Sequence, residues 1–213
     1  MASAFADLTR ERPEALVEAL GSPDPRTASA AAFLAGHLAD PRLLEGLGSA
    51  LGARDASVRR EAIQALKQFG GGRALEHVQL AVDDPDPGVR LYALRHLVVH
   101  RYAPAFPAVA AMIEDERWRE RSATEQRLLF EAYGALGGEA AVGPLVQRVR
   151  PRTRLFRKPD PEEVACALVG LGATGTAQAR QVVEDATGSR LPLVARTATQ
   201  VLETWGRAGA LTE

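Results

Sequence analysis

Lysine is nearly missing from this chain. Lys67 and Lys158 are the only two in 213 residues, so arginine carries almost all of the positive charge. With abundant alanine and glycine, this points to a GC-rich coding genome and a bacterial source. Cysteine is scarcer still. Cys166 stands alone, which excludes an internal disulfide and a cysteine-cluster metal site. Aromatic residues make up 5% of the chain against 46% hydrophobic residues in all. That excludes a core of stacked rings and leaves Ala, Leu and Val, which suit closely packed helices. A net charge of −1 gives no bulk attraction to nucleic acid or to an anionic membrane, so any such preference must be local. No apolar run is long enough to span a bilayer, and the N-terminus lacks a charged-then-apolar signal pattern. A soluble, cytoplasmic protein is the expectation.

What the chain does have is a repeat. Ala31, Ala62, Ala93, Ala132, Ala167 and Ala198 each hold one place in a recurring pattern. Asp24, Asp55, Asp86, Glu125, Asp160 and Leu191 precede them by seven residues. Ala35, Leu66, Leu97, Leu136, Leu171 and Leu202 follow them by four. Between these segments runs a second series of apolar triplets: Leu44/Leu47/Leu51, Leu75/Val78/Val82 and Phe106/Val109/Ile113, continued by Val142/Leu145/Val149 and Ala179/Val182/Ala186. Separations of three and four put each triplet on one helix face. Each repeat therefore reads as two amphipathic helices, A and B, and an array of such pairs is a solenoid. The alanine has a steric reason: a methyl group lets helix axes cross near the short end of the 8–10 Å range.

The turns agree. Asp24-Pro25, Asp86-Pro87 and Asp160-Pro161 place an N-cap acceptor before a proline at the first helical position. Asp160 with Glu163 reads as a capping box. Gly70–Gly72, Gly137-Gly138 and Gly172 fall where left-handed C-caps are wanted. The expected A helices span 13–20, 41–52, 73–82, 103–114, 139–149 and 176–187. The expected B helices span 25–38, 56–69, 87–100, 123–136, 161–171 and 192–205.

Asp55-Ala56-Ser57-Val58-Arg59 with Ala62 and Leu66, and Asp84-Pro85-Asp86-Pro87-Gly88-Val89-Arg90 with Ala93 and Leu97, resemble the HEAT-repeat family. The likeness is to the short bacterial HEAT-like repeats also found in phycobilin lyases. Ala135-Leu136-Gly137 and Gly170-Leu171-Gly172 resemble the family's helix-ending motif. The resemblance implies an all-α, right-handed solenoid of about six hairpins, with residues 1–213 as one domain. It specifies architecture and hardly constrains activity.

The repeat is broken in two places. Ile113 to Glu125 and Val149 to Asp160 are longer than the four-residue A–B steps of the first three repeats. This gives enlarged A–B turns at 114–124 and 150–159, which repeat geometry should bring side by side. The first carries Trp118. The second carries Arg152, Arg154, Phe156, Arg157 and Lys158, a basic run with an aromatic, suited to phosphate or an acidic partner. Its bland alternative is a docked loop whose arginines face water or pair with acids of the first turn. The other candidate surface is the exposed ridge of the B helices, assigned Arg60, Gln64, Leu91, Arg95, Arg127, Phe130, Arg196 and Gln200. The bland alternative there is a solvated face. Arg59 and Arg90 read as structural, bonding to inter-repeat aspartates. Cys166 reads as packing. His96 and His100 lie at i,i+4, but no third metal ligand follows.

No catalytic triad, phosphate-binding glycine loop or metal-ligand cluster is visible in the sequence. The expected role is a non-catalytic protein-binding or scaffolding module with no cofactor or metal. Its expected partner is another protein or peptide of acidic or phosphorylated character, not a membrane. The alternatives are a HEAT-like enzyme, resembling phycobilin lyases or glycosylases for alkylated DNA bases, and a nucleic-acid or phosphate binder acting through the 150–158 loop.

Overall fold

A computed structural model describes residues 13–150 and 160–210, with side chains described up to Trp205. The described secondary structure is helical throughout, with no strand among the described residues. The chain falls into two compact units, Met1–Val99 and His100–Glu213, and three helix pairs lie in each. The fold class is all-α, of the helical-hairpin solenoid type.

In the first unit the pairs are α1 (Pro13–Leu20) with α2 (Pro25–Leu38), α3 (Leu44–Ala50) with α4 (Ala56–Phe69), and α5 (Gly71–Gln79) with α6 (Pro87–Val99). A short 3-10 turn, Pro41–Leu43, leads into α3. Helices α2, α4 and α6 form the B layer, α2 on α4 and α4 on α6, and the A helices pack against them. The aspartate caps form as expected. Asp24 accepts from the Thr27 amide at 3.0 Å, Asp55 from Ser57 at 2.7 Å and Asp86 from Val89 at 3.0 Å. Ala31, Ala62 and Ala93 are buried in the B layer. α2 and α4 approach so closely that a Cβ on Gly36 would lie 2.8 Å from the Ala65 Cα.

In the second unit the pairs are α7 (Phe106–Glu114) with α8 (Ala123–Gly137), α9 (Glu139–Val149) with α10 (Pro161–Thr174), and α11 (Ala177–Ala186) with α12 (Pro192–Ala210). Again the B helices pack in series, α8 on α10 and α10 on α12. Ala132, Ala167 and Ala198 are fully buried. A Cβ on Gly134 would meet the Gly170 carbonyl oxygen at 1.9 Å, so only glycine permits that backbone approach.

Two local expectations are corrected. Gly172 does not cap its helix: α10 runs on to Thr174 and ends at Gly175, which has φ 72°. Gly172 is there for packing instead, since a Cβ would lie 2.5 Å from Val201 Cγ1. α8 starts at Ala123, where its expected span begins, and is capped by Ser122, whose hydroxyl accepts from the Glu125 amide at 3.3 Å. Asp160 does cap α10, accepting from the Glu162 amide at 3.0 Å. Glu163, however, does not turn back to complete a capping box; its carboxylate is taken by two arginines.

Candidate functional site: the enlarged turn and the B-helix ridge

The third residue of a B helix is a useful guide to the turns. In α4, α6 and α12 it is Val58, Val89 and Val194, all buried. In α8 and α10 it is Glu125 and Glu163, also buried, at 2% and 8% exposure. These two helices follow the enlarged turns. A buried carboxylate needs a partner, and the enlarged turns supply arginines.

The first enlarged turn is ordered around a 3-10 segment, Glu116–Glu120, capped by Asp115. Trp118 is 2% exposed and meets Phe130 of α8 edge-on, with ring centroids 5.0 Å apart. Arg119 lies over the Trp118 ring at 4.6 Å, and Arg148 over the Phe130 ring at 5.6 Å. Both guanidinium groups then reach Glu163. Arg119 Nη2 donates to Oε2 at 2.7 Å and Arg148 Nη1 to Oε1 at 2.6 Å. Arg119 Nη1 also donates to Asp160 at 3.3 Å, and Arg148 Nη2 to the Ile113 carbonyl at 3.4 Å. Arg121 pairs with Glu125 at 2.9 Å, Arg117 with Asp115 at 2.7 Å, and Arg150 with Asp185. Burial alone would raise the Glu163 pKa. The hydrogen bonds and charges of Arg119 and Arg148 outweigh that effect and hold it below its ordinary value.

The fourth residue of the B helix shows a parallel substitution. Arg59 Nη1 donates to the Ala53 and Arg54 carbonyls at 2.9 and 3.0 Å. Arg90 Nη1 donates to the Asp84 and Pro85 carbonyls at 2.6 and 3.0 Å. In α8 the residue is Gln126, whose Nε2 donates to the Arg119 and Arg121 carbonyls, each at 2.9 Å. One side-chain donor thus clips the preceding turn in all three cases. Arg59 also makes a bidentate, buried pair with Asp84, both contacts at 2.7 Å, as its structural reading anticipates. Arg90 bonds to the Asp84 backbone carbonyl.

Two site expectations change. Phe130 is wholly buried and Trp118 nearly so, so neither presents itself to a partner. Phe130 belongs to the floor beneath the enlarged turn, not to the B-helix ridge, because the tryptophan inserted by the longer turn needs an aromatic to pack on. Arg152, Arg154, Phe156, Arg157 and Lys158 lie outside the described residues. At either end of that segment, Asp160 touches Arg119, and Arg148 touches the carbonyl of Ile113.

On the ridge, Arg60 and Arg95 are exposed and Gln64 and Leu91 half-buried in the first unit. Phe33, 52% exposed, stands one repeat before Gln64 in register, and Tyr92 is exposed on α6. In the second unit Arg127, Arg196 and Gln200 are exposed. No ion pair joins Arg60, Arg95 or Arg127 to another described residue. Phe33 was not singled out by the sequence reading, although its register with Gln64 was there to find it.

Cys166 is buried, and burial pushes its thiol up to about 11, which fits packing and not reactivity. Among the described residues no group of three or more His, Cys, Asp or Glu is placed to hold a metal ion. Among the same residues no helix is long and apolar enough to cross a membrane.

Comparison with known proteins agrees with this geometry. Residues 13–81 match the family described as HEAT repeats. No curated protein matches the sequence. Among solved structures, the complex of CpcE and CpcF of phycocyanin lyase from Nostoc sp. PCC7120 superposes with a TM-score of 0.55 at 18% identity, covering 89% of this chain and 75% of that one. An engineered protein superposes with a TM-score of 0.51 at 20% identity, covering 89% of this chain and 94% of that one. At these identities the likeness is one of fold. The HEAT-repeat likeness is thus carried by residues 13–81, and the rest of the chain shares the helical-hairpin solenoid fold.

Proposed function

We propose that this protein is a non-catalytic protein-binding module that meets its partner through the exposed B-helix faces and not through the described enlarged turn. One observation carries the reading. The described arginines of the enlarged turns and their flanks (Arg117, Arg119, Arg121, Arg148 and Arg150) are all engaged within the fold. The ridge arginines Arg60, Arg95 and Arg127 are exposed with no ion-pair partner among the described residues. An exposed cation such as Arg95, one helical turn from Leu91, suits an acidic peptide that also offers apolar side chains.

The test is binding of a fluorescein-labelled peptide of alternating glutamate and leucine, read by anisotropy at low and moderate salt. The R60E/R95E double variant should bind at least tenfold more weakly at unchanged melting temperature. Equal binding by the double variant would overturn the ridge reading. A bilin-handling role has only the fold likeness to the CpcE–CpcF complex behind it. A visible-range band acquired on incubation with a free bilin would bring it forward.

A further inference from the structure

The B helices of the second unit approach one another through small residues: Gly134 against Gly170, and Gly172 against Val201. Close backbones leave little side-chain bulk along that face of α10. A groove of about 280 Å³ results, crossing α8, α10 and α12. Val169, Gly172, Ala173 and Val201 line it together with Glu131. Arg127 stands at one side and Trp205 at another, with Thr197, Gln200 and Thr204 along α12.

We infer that this groove is an anchor pocket for one large apolar side chain of an extended acidic peptide. The inference rests on the binding-module reading above and deepens it. Size is the first argument. At about 280 Å³ the groove lies at the small end of the range for ligand pockets, roughly 300 Å³ upward, and has room for one leucine- or phenylalanine-sized group. Composition is the second. Binding energy concentrates where aromatic and arginine side chains border a small desolvated pocket, and here Trp205 and Arg127 line the groove together with Val169 and Val201. Charge is the third. Arg127 is exposed with no ion pair among the described residues, while Glu131 beside it is engaged in an interaction of its own. Arg196 lies one turn before Gln200 on α12 and adds a second exposed cation to that face. A carboxylate on either side of the anchoring group meets these guanidinium groups, which suit carboxylates bidentately.

The probes are labelled pentapeptides in which one variable residue is flanked by two glutamates on each side. Anisotropy gives affinity, and the emission of Trp205, the half-exposed tryptophan, reports occupation of the groove. Peptides with phenylalanine or leucine at the centre should bind at least tenfold tighter than the alanine version and shift tryptophan emission. R127E should move the preference from glutamate-flanked to lysine-flanked peptides. A173L, with an unchanged melting temperature, should lower affinity for the phenylalanine peptide about tenfold. If the central residue has no effect, or R127E leaves the flank preference unchanged, the pocket is overturned. Should glutamate peptides then still bind and R60E/R95E abolish it, the wider ridge reading stands without this pocket. If the wild-type protein binds none of the peptides, both readings fall.

Discussion

The turn before α4 and the turn before α8 solve one problem with different residues. The shorter turn is held by Arg59, which clips the carbonyls of Ala53 and Arg54 and pairs with buried Asp84; Val58 seals the helix start. The longer turn is clipped by Gln126. There, carboxylates replace valine at the third position of the following helices, and arginines from the turn region come in to neutralise them. A longer turn thus needs its own small core, Trp118 on Phe130, and its own charge network. The lesson concerns arginine. A cluster of arginines in an inserted turn looks like a binding patch in sequence. Arg117, Arg119 and Arg121 of the first turn are engaged within the fold, while Arg60, Arg95 and Arg127 are exposed with no ion pair among the described residues; the basic run Arg152–Lys158 lies outside the described residues.

The comparison breaks most severely at Trp118. W118A removes a buried aromatic that only the longer turn possesses, and should cost about 3–5 kcal/mol in urea denaturation. A cost below about 1 kcal/mol would mean that the turn is not held by this contact. Next is Glu163. E163Q leaves Arg119 and Arg148 without their shared carboxylate. Breaking a fully buried pair costs 3–5 kcal/mol, and because both arginines keep some solvent contact the expected loss here is roughly 2–3 kcal/mol at neutral pH. The sign with pH follows from the lowered pKa. Stability from Glu163 is fully present above its unfolded pKa and lost as pH falls through the lower folded one. The gap between wild type and E163Q should therefore close in acid, and a gap constant from neutral pH to pH 3 would contradict the assignment.

A62L and A93L should each cost about 1–3 kcal/mol by overpacking the B layer; variants as stable as wild type would show that the layer has slack. This is also where the sequence was most legible. Six alanines in register, with aspartate caps and proline at the first helical position, locate twelve helices with most ends within a few residues. The enlarged turns were visible as broken spacing. Their interior was not, because Trp118–Phe130 and Arg119–Glu163 are contacts between segments far apart in the chain, and helical periodicity carries no information about them. Phe130 was misplaced for that reason: one turn of register puts it near the ridge, and only the tryptophan above it shows that it faces the other way. Glu163 was read as a capping-box residue by local spacing, when its carboxylate serves Arg119 and Arg148.

The central claim is that turn arginines hold the fold and ridge arginines hold a partner. R119A and R127A compared in one experiment test it most directly, by urea denaturation and by anisotropy with the glutamate–leucine peptide. R119A should lose roughly 1–3 kcal/mol of stability, as expected for a part-buried hydrogen-bonded ion-pair network, and folded R119A should bind the peptide as wild type does. R127A should stay within about 0.5 kcal/mol of wild type, as surface changes do, and bind several-fold more weakly. The reverse pattern, a stable R119A that no longer binds or an R127A that unfolds easily and binds normally, would contradict the account.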